Sequence, residues 1–97
     1  MTATTDEGEV MGRGDAYAQT ALILSKISDA LHKCDSSLKD VTRTRIFTTD
    51  ISQWEAIGRA HGEAFQNVKP VTTMVEVRAL IHPDMIVEIE ATAIVTP

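Results

Sequence analysis

Along the 97-residue chain, apolar positions first fall into a helical rhythm after residue 15. Leu24, Ile27 and Leu31 recur on one face with Ile23 and Ala30 beside them, while Ser25, Lys26, Ser28 and Asp29 point away. Asp15 is placed as the N-cap of a helix ending near Lys33, since its carboxylate can accept from the free amides of the first turn. CDSSLKD then supplies turn chemistry, because Asp and Ser bond to nearby backbone and Asp tolerates left-handed geometry. The period changes to two in VTRTRIFTT, with Val41, Arg43, Arg45 and Phe47 on one face and Thr42, Thr44, Ile46 and Thr48 on the other, which predicts a strand over 41–49. Ser52 followed by Glu55 reads as a capping box opening a second helix. That helix runs to about Gln66 with Trp54, Ile57, His61, Ala64 and Phe65 on its apolar face, and Asn67, Lys69 and Pro70 end it. Alternation returns twice in PVTTMVEVRALIHPDMIVEIEAT, predicting strands over 72–80 and through Val87, Ile89, Ala91 and Ala93, joined as a hairpin at His82, Pro83 and Asp84. Residues 1–14 read as loop or frayed N-terminus, with room for a short strand at Glu9 to Met11.

The order helix, strand, helix, strand, strand predicts an α+β domain spanning residues 1–97. Strands 41–49 and 72–80, linked by a helix, are parallel if they share a sheet, and the last strand adds an antiparallel member, so the sheet is mixed. Both helices then lie on one face. Three strands with one uncovered face are too few for an isolated sheet, which predicts self-association.

Composition narrows the function classes. A net charge of −5, with no Lys/Arg cluster, repels a phosphate backbone and excludes nucleic acid as a partner. No stretch approaches the roughly 20 apolar residues of a membrane span, and nothing resembles a secretory leader, so a soluble cytoplasmic protein is expected. Cys34 is the single cysteine, which rules out an intrachain disulfide and a CxxC zinc or redox pair. It sits beside a turn with no partner base in sequence, and His32 and Cys34 alone do not make a metal site, so no metal or cofactor is expected. Gly12 and Gly14 lack the spacing of a dinucleotide loop and read as turn glycines.

The carboxylates of the last two strands are the candidate chemistry. Glu88 and Glu90 share strand parity and lie about 7 Å apart, so burial together would raise one of their pKa values, whereas on a solvated face they are ordinary surface charges. Glu76 and Glu90 fit cross-strand or interface contacts, with Arg78 as a partner, and Arg43 and Arg45 fit salt bridging. His61, on an apolar helix face, fits a packed, hydrogen-bonded histidine.

GDAYAQTALILSKISDAL, SSLKDVTRTRIFTTDISQW, AHGEAF, VEVRAL and VEIEATAIV occur in an order that resembles the RidA/YjgF family, the reactive intermediate deaminases, over roughly residues 14–95. The resemblance implies a chorismate-mutase-like fold, a homotrimer with pockets between subunits, and hydrolysis of 2-imino acids such as 2-iminobutanoate and 2-iminopropanoate to 2-keto acids and ammonia. It also implies that Glu88 orients the attacking water. The family's carboxylate-gripping arginine falls at the second position after a proline, and here that position is Thr72, a hydroxyl that can bind a small ligand but cannot neutralise a carboxylate. Family members open with two strands that this sequence lacks, whether by truncation or by loss. The expected function is therefore RidA-like imine or enamine hydrolysis with weak action on 2-imino acids. The alternative is a non-catalytic trimeric protein that binds or senses a small metabolite. Ribonuclease activity, which the resemblance also allows, is opposed by the acidic charge.

Overall fold

The computed structural model describes residues 1–95, so positions 96 and 97 of the expected single domain lie outside the described residues. Helix α1 spans Ala16–His32, strand β1 Val41–Thr48, helix α2 Trp54–Phe65, strand β2 Val71–Glu76 and strand β3 Val87–Ala93. Short 3-10 turns at Leu38–Asp40 and Ile51–Gln53 lead into β1 and α2. Asp15 caps α1 as expected, its side chain accepting from the Ala18 amide. Asp35 takes the left-handed conformation that turns the chain after α1.

The start of α2 differs from the expected capping box. Asp50 takes that role instead: it accepts from the Ser52 amide and hydroxyl and opens the Ile51–Gln53 turn, from which α2 continues. Those bonds hold the Asp50 carboxyl below the usual carboxylate range. Trp54 is also misplaced by periodicity alone. It is 56% exposed, because it stands in the first turn of α2, ahead of the stretch of that helix that buries Ile57, Ala60 and Phe65.

The sheet order is β2-β1-β3. β1 pairs parallel with β2, from Arg43 opposite Val71 to Thr48 opposite Glu76, with α2 as the crossover such a pair needs. β1 also pairs antiparallel with β3, Ile46 opposite Ile89 and Phe47 opposite Glu88. The expected hairpin between the last two strands is thus corrected: β2 and β3 flank β1 on opposite sides. Strand β2 stops at Glu76 rather than near residue 80, and the segment from Val77 to Ile86 crosses the end of β1. The Val77 amide donates to Thr48 O at 2.8 Å and the Thr49 amide donates to Ile86 O at 3.0 Å, so both ends of the crossing are pinned to β1. The turn at His82 to Asp84 exists, with the Met85 amide donating to His82 O, but it shapes a crossing loop and not a two-strand ribbon.

Both helices cover the face that carries Thr44, Ile46 and Thr48 of β1 and Val87 and Ile89 of β3. Ile23, Leu24 and Ile27 of α1 and Ile57 and Phe65 of α2 fill the space above it, each aliphatic side chain contributing about 1.5–3 kcal/mol by leaving water. Val41 joins the core despite its parity, because an irregularity between Val41 and Arg43 turns it inward. Residues 1–14 hold only isolated bridges, Thr2 with Glu88 and Thr4 with Val10, but they are not frayed. Ala3 and Val10 are buried, the Ile89 amide donates to Met1 O, and the Lys26 ammonium donates to the carbonyls of Thr2 and Thr4.

Gln19 of α1 is 1% exposed and its amide is fully used. Nε2 donates to Asp84 O at 2.8 Å and Gly12 O at 3.3 Å, and Oε1 accepts from the Ile86 amide at 2.8 Å. Gly12 has a positive φ of 67°, and a Cβ there would meet Gln19 Cγ at 3.2 Å, so the close approach favours glycine. Replacing Gln19 by Leu would strand the Asp84 carbonyl and Ile86 amide away from water. We expect Gln19→Leu to lower unfolding stability by about 1–3 kcal/mol in urea titration, and a midpoint equal to that of the parent protein would show that the crossing loop does not depend on this amide.

Candidate functional site

The sheet's two faces divide the residues that sequence reasoning grouped together. Register places Arg43, Arg45 and Phe47 of β1, Val71, Thr73 and Val75 of β2, and Glu88, Glu90 and Thr92 of β3 on the uncovered face. Thr44 and Thr72 stand beside each other on the helix-covered face. Glu88 and Thr72 are therefore on opposite faces. Two strand spacings and three residues of stagger also set their backbones on the order of 14 Å apart. Within one subunit the fold does not bring the two candidate residues together.

Glu88 is half-exposed beside Phe47, with the Met1 amine 3.8 Å from its Oε2. Glu90 shares its face and lies opposite Arg45, whose Nη2 is 3.3 Å from Glu90 Oε2. The cross-strand role expected of Glu90 holds, with Arg45 and not Arg78 as its partner. Half-exposed pairs of this kind contribute little to stability. Glu76 acts differently, its Oε1 accepting from the Ile51 amide at 2.9 Å, which ties the end of β2 to the turn that opens α2.

Thr72 lies at the start of the edge strand β2, exposed, but its hydroxyl points back toward the helices. Its Oγ1 is 2.8 Å from Thr44 Oγ1, and Thr44 Oγ1 is 2.9 Å from His61 Nε2. Thr44 is completely buried. His61 comes from the middle of α2, its ring 4.6 Å from that of Phe65, and burial pushes its pKa below the ordinary histidine value, which favours the neutral ring. Periodicity marks Thr44 only as a strand position and His61 only as a packed histidine. A spacing of seventeen residues across a strand, a turn and a helix gives no signal that they touch.

Other candidates stay apart from chemistry. Cys34 is exposed at the end of α1. Among the described residues there is no group of three or more His, Cys, Asp or Glu able to hold a metal ion, and no helix long and apolar enough to cross a membrane. The groove between α1 and α2, about 390 Å³, is lined by Leu24, Ser28, Leu38 and Ala60 among others, and neither Glu88 nor Thr72 borders it. Across the helix pair, the Tyr17 hydroxyl donates to Glu63 while Arg59 covers its ring, a clasp between helices.

Comparison with known proteins gives this arrangement a context. The family model described as Endoribonuclease L-PSP matches residues 1–95. The 3-aminoacrylate deaminase RutC of Acinetobacter baylyi is 37% identical over 88 residues, covering 91% of this chain and 69% of that protein. Among solved structures, Rv2704 of Mycobacterium tuberculosis, a member of the YjgF/YER057c/UK114 family, is 51% identical with a TM-score of 0.84, over 87% of this chain and 70% of that one. The Rid-family protein YyfB of Yersinia pestis is 29% identical with a TM-score of 0.88, over 97% and 73%.

The depressed pKa of His61 has a consequence for stability. The unfolded chain binds this proton more readily than the folded one, so stability rises with pH from the depressed folded value up to the ordinary value of about 6.5, and is lost as pH falls through that window. Urea midpoints measured between about pH 5 and pH 8 should show this slope, and His61→Gln should flatten it; an unchanged slope in the variant would assign it to other groups.

Proposed function

We propose a function from one premise: the chain belongs to the Endoribonuclease L-PSP family, the RidA/YjgF proteins. On that premise it is a Rid-type protein that takes a small imine- or enamine-like metabolite and hydrolyses it to a carbonyl compound and ammonia. The observation that carries this reading is its similarity to a 3-aminoacrylate deaminase over nearly its whole length. Glu88 is the residue we assign to orienting water. Its carboxylate is half-exposed on the uncovered face, so a water-excluding pocket needs a second surface against that face.

A homotrimer supplies such a surface. Val71 and Val75 are 70% and 41% exposed on the uncovered face, beside Phe47, and their cover by a neighbouring subunit removes apolar area from water. The separation of Thr72 from Glu88 within one chain fits a cleft to which different subunits contribute. The exposed lone Cys34 fits a reducing compartment such as the cytoplasm.

Thr72 sets the limit on substrate. A hydroxyl gives a carboxylate one hydrogen bond from an uncharged donor, where a guanidinium gives two and a positive charge besides. 2-Imino acids are therefore poor substrates, and an uncharged imine or enamine is preferred. The same observation favours the second reading, in which the cleft binds or senses a metabolite without turning it over. Ribonuclease activity is disfavoured by the net charge of −5.

Generation of 2-iminobutanoate in situ with semicarbazide as trap separates the readings. The wild-type protein should lower the trapped yield weakly, and Thr72→Arg should strengthen the effect by on the order of tenfold or more. No effect from either protein, in a preparation that native mass measurement shows to be trimeric, would remove deaminase action on this substrate in favour of binding alone. A monomer would remove the intersubunit cleft.

A further inference from the structure

Thr44 Oγ1 carries one proton and is completely buried between two partners, His61 Nε2 at 2.9 Å and Thr72 Oγ1 at 2.8 Å. Away from water it has no third partner among the described residues, so it donates to one and accepts from the other. That ties the tautomer of His61 to the direction of the Thr72 hydroxyl. When Nε2 carries the ring proton, it donates to Thr44, Thr44 donates to Thr72, and Thr72 donates outward. When Nδ1 carries it, Nε2 accepts from Thr44, Thr44 accepts from Thr72, and the lone pairs of Thr72 face outward. A neutral imidazole permits both arrangements.

The outer end of this chain belongs to a residue of the edge strand. Thr72 is exposed, and its remaining bond, to Pro70 O, is long at 3.3 Å. No cation belongs to the relay, so it supplies hydrogen bonds of either sense without net charge.

We propose that His61 and Thr44 are positioning residues that make Thr72 Oγ1 an uncharged, two-way hydrogen-bonding site, selective for an amide-like or imine-like group over a carboxylate. Such a group presents a carbonyl oxygen or imine nitrogen to the donating state and an N–H to the accepting state. A carboxylate only accepts, so it uses one state, and it gives up hydration with no positive charge in return. The assignment deepens the functional reading above and rests on its premise that the ligand cleft includes the start of β2. It changes the role of His61 from packing to selection, exercised through Thr44 and not by contact.

Two measurements test it on the whole protein. The ring nitrogen resonances of His61 report its tautomer ratio. Thr72→Val, an exposed substitution that does not touch the histidine, should shift the ratio toward Nδ1–H, because Thr44 is then free to donate to Nε2; Thr72→Ser should restore the parent ratio. An identical ratio in Thr72→Val and the parent would overturn the relay. Propanamide and propanoate then serve as probes, their binding followed by broadening of the probes' own proton resonances, a readout that does not pass through Thr44. Propanamide should bind about tenfold or more tightly than propanoate to the parent protein, and Thr44→Val should abolish the preference while native mass and circular dichroism show the fold retained. Equal or tighter binding of propanoate, or no response to propanamide in a confirmed trimer, would overturn the assigned selectivity. The outcomes are separable from the catalytic reading: a response to propanamide with no imine hydrolysis keeps the relay and removes the deaminase, and hydrolysis with an uncoupled His61 does the reverse.

Discussion

A primary amide removed from water must find partners for its oxygen and its nitrogen or cost the fold more than it contributes, and the Gln19 amide finds them in three places along the chain. It joins the Gly12 carbonyl in the N-terminal segment to Asp84 and Ile86 at the far end of the crossing loop. The loop that delivers β3 is thereby held against α1. With Ile86 fixed, and its carbonyl bonded to the Thr49 amide, β3 has one register on β1, in which Val87 and Ile89 enter the core and Glu88 and Glu90 face away. A slip of one residue would bury both carboxylates. The orientation of the candidate acid therefore depends on an amide that takes no part in its chemistry.

β1 is the second organising feature, because it pairs on both sides and so has no free edge. Its alternation is unusual in placing two threonines, Thr44 and Thr48, at full burial on the helix-covered face. Each hydroxyl is satisfied: Thr48 exchanges bonds with the backbone of Asp50, and Thr44 lies between His61 and Thr72. These two threonines connect the strand to what surrounds it, Thr48 to the entry of α2 and Thr44 to the middle of α2 and the start of β2. The uncovered face has a different character, with the Arg45–Glu90 pair and half-exposed Glu88 toward β3 and the exposed Val71 and Val75 on β2, across β1.

Much of the architecture was legible in local pattern. The helical rhythm of Leu24 and Ile27, the cap at Asp15, the turn within CDSSLKD and the period-two run through Ile46 each depend on neighbours within a few residues, and each was realised. The parallel pairing of β1 with β2 followed from the helix between them. The hairpin did not follow, because alternation identifies a strand but carries no label for its partner; a ten-residue link can close a ribbon or cross the end of a third strand. The pattern from Ser52 to Glu55 named Ser52 as the cap; the structure gives that role to Asp50, two residues earlier, whose carboxylate reaches the Ser52 amide and hydroxyl. Trp54 obeyed the period of α2 but stands in its first turn, where the core does not extend.

The sequence by itself determined the elements, their order, the family to which they belong, and the absence of an arginine at Thr72, since these are properties of local periodicity and residue identity. Only the tertiary structure decided which strands meet, which face each side chain takes, and which distant groups touch. It separated Thr72 from Glu88 and joined Thr72 to Thr44 and His61. The physical reason is that hydrogen bonds between residues far apart in sequence form only after the core has fixed the strands, and no spacing along the chain encodes the few ångströms between them.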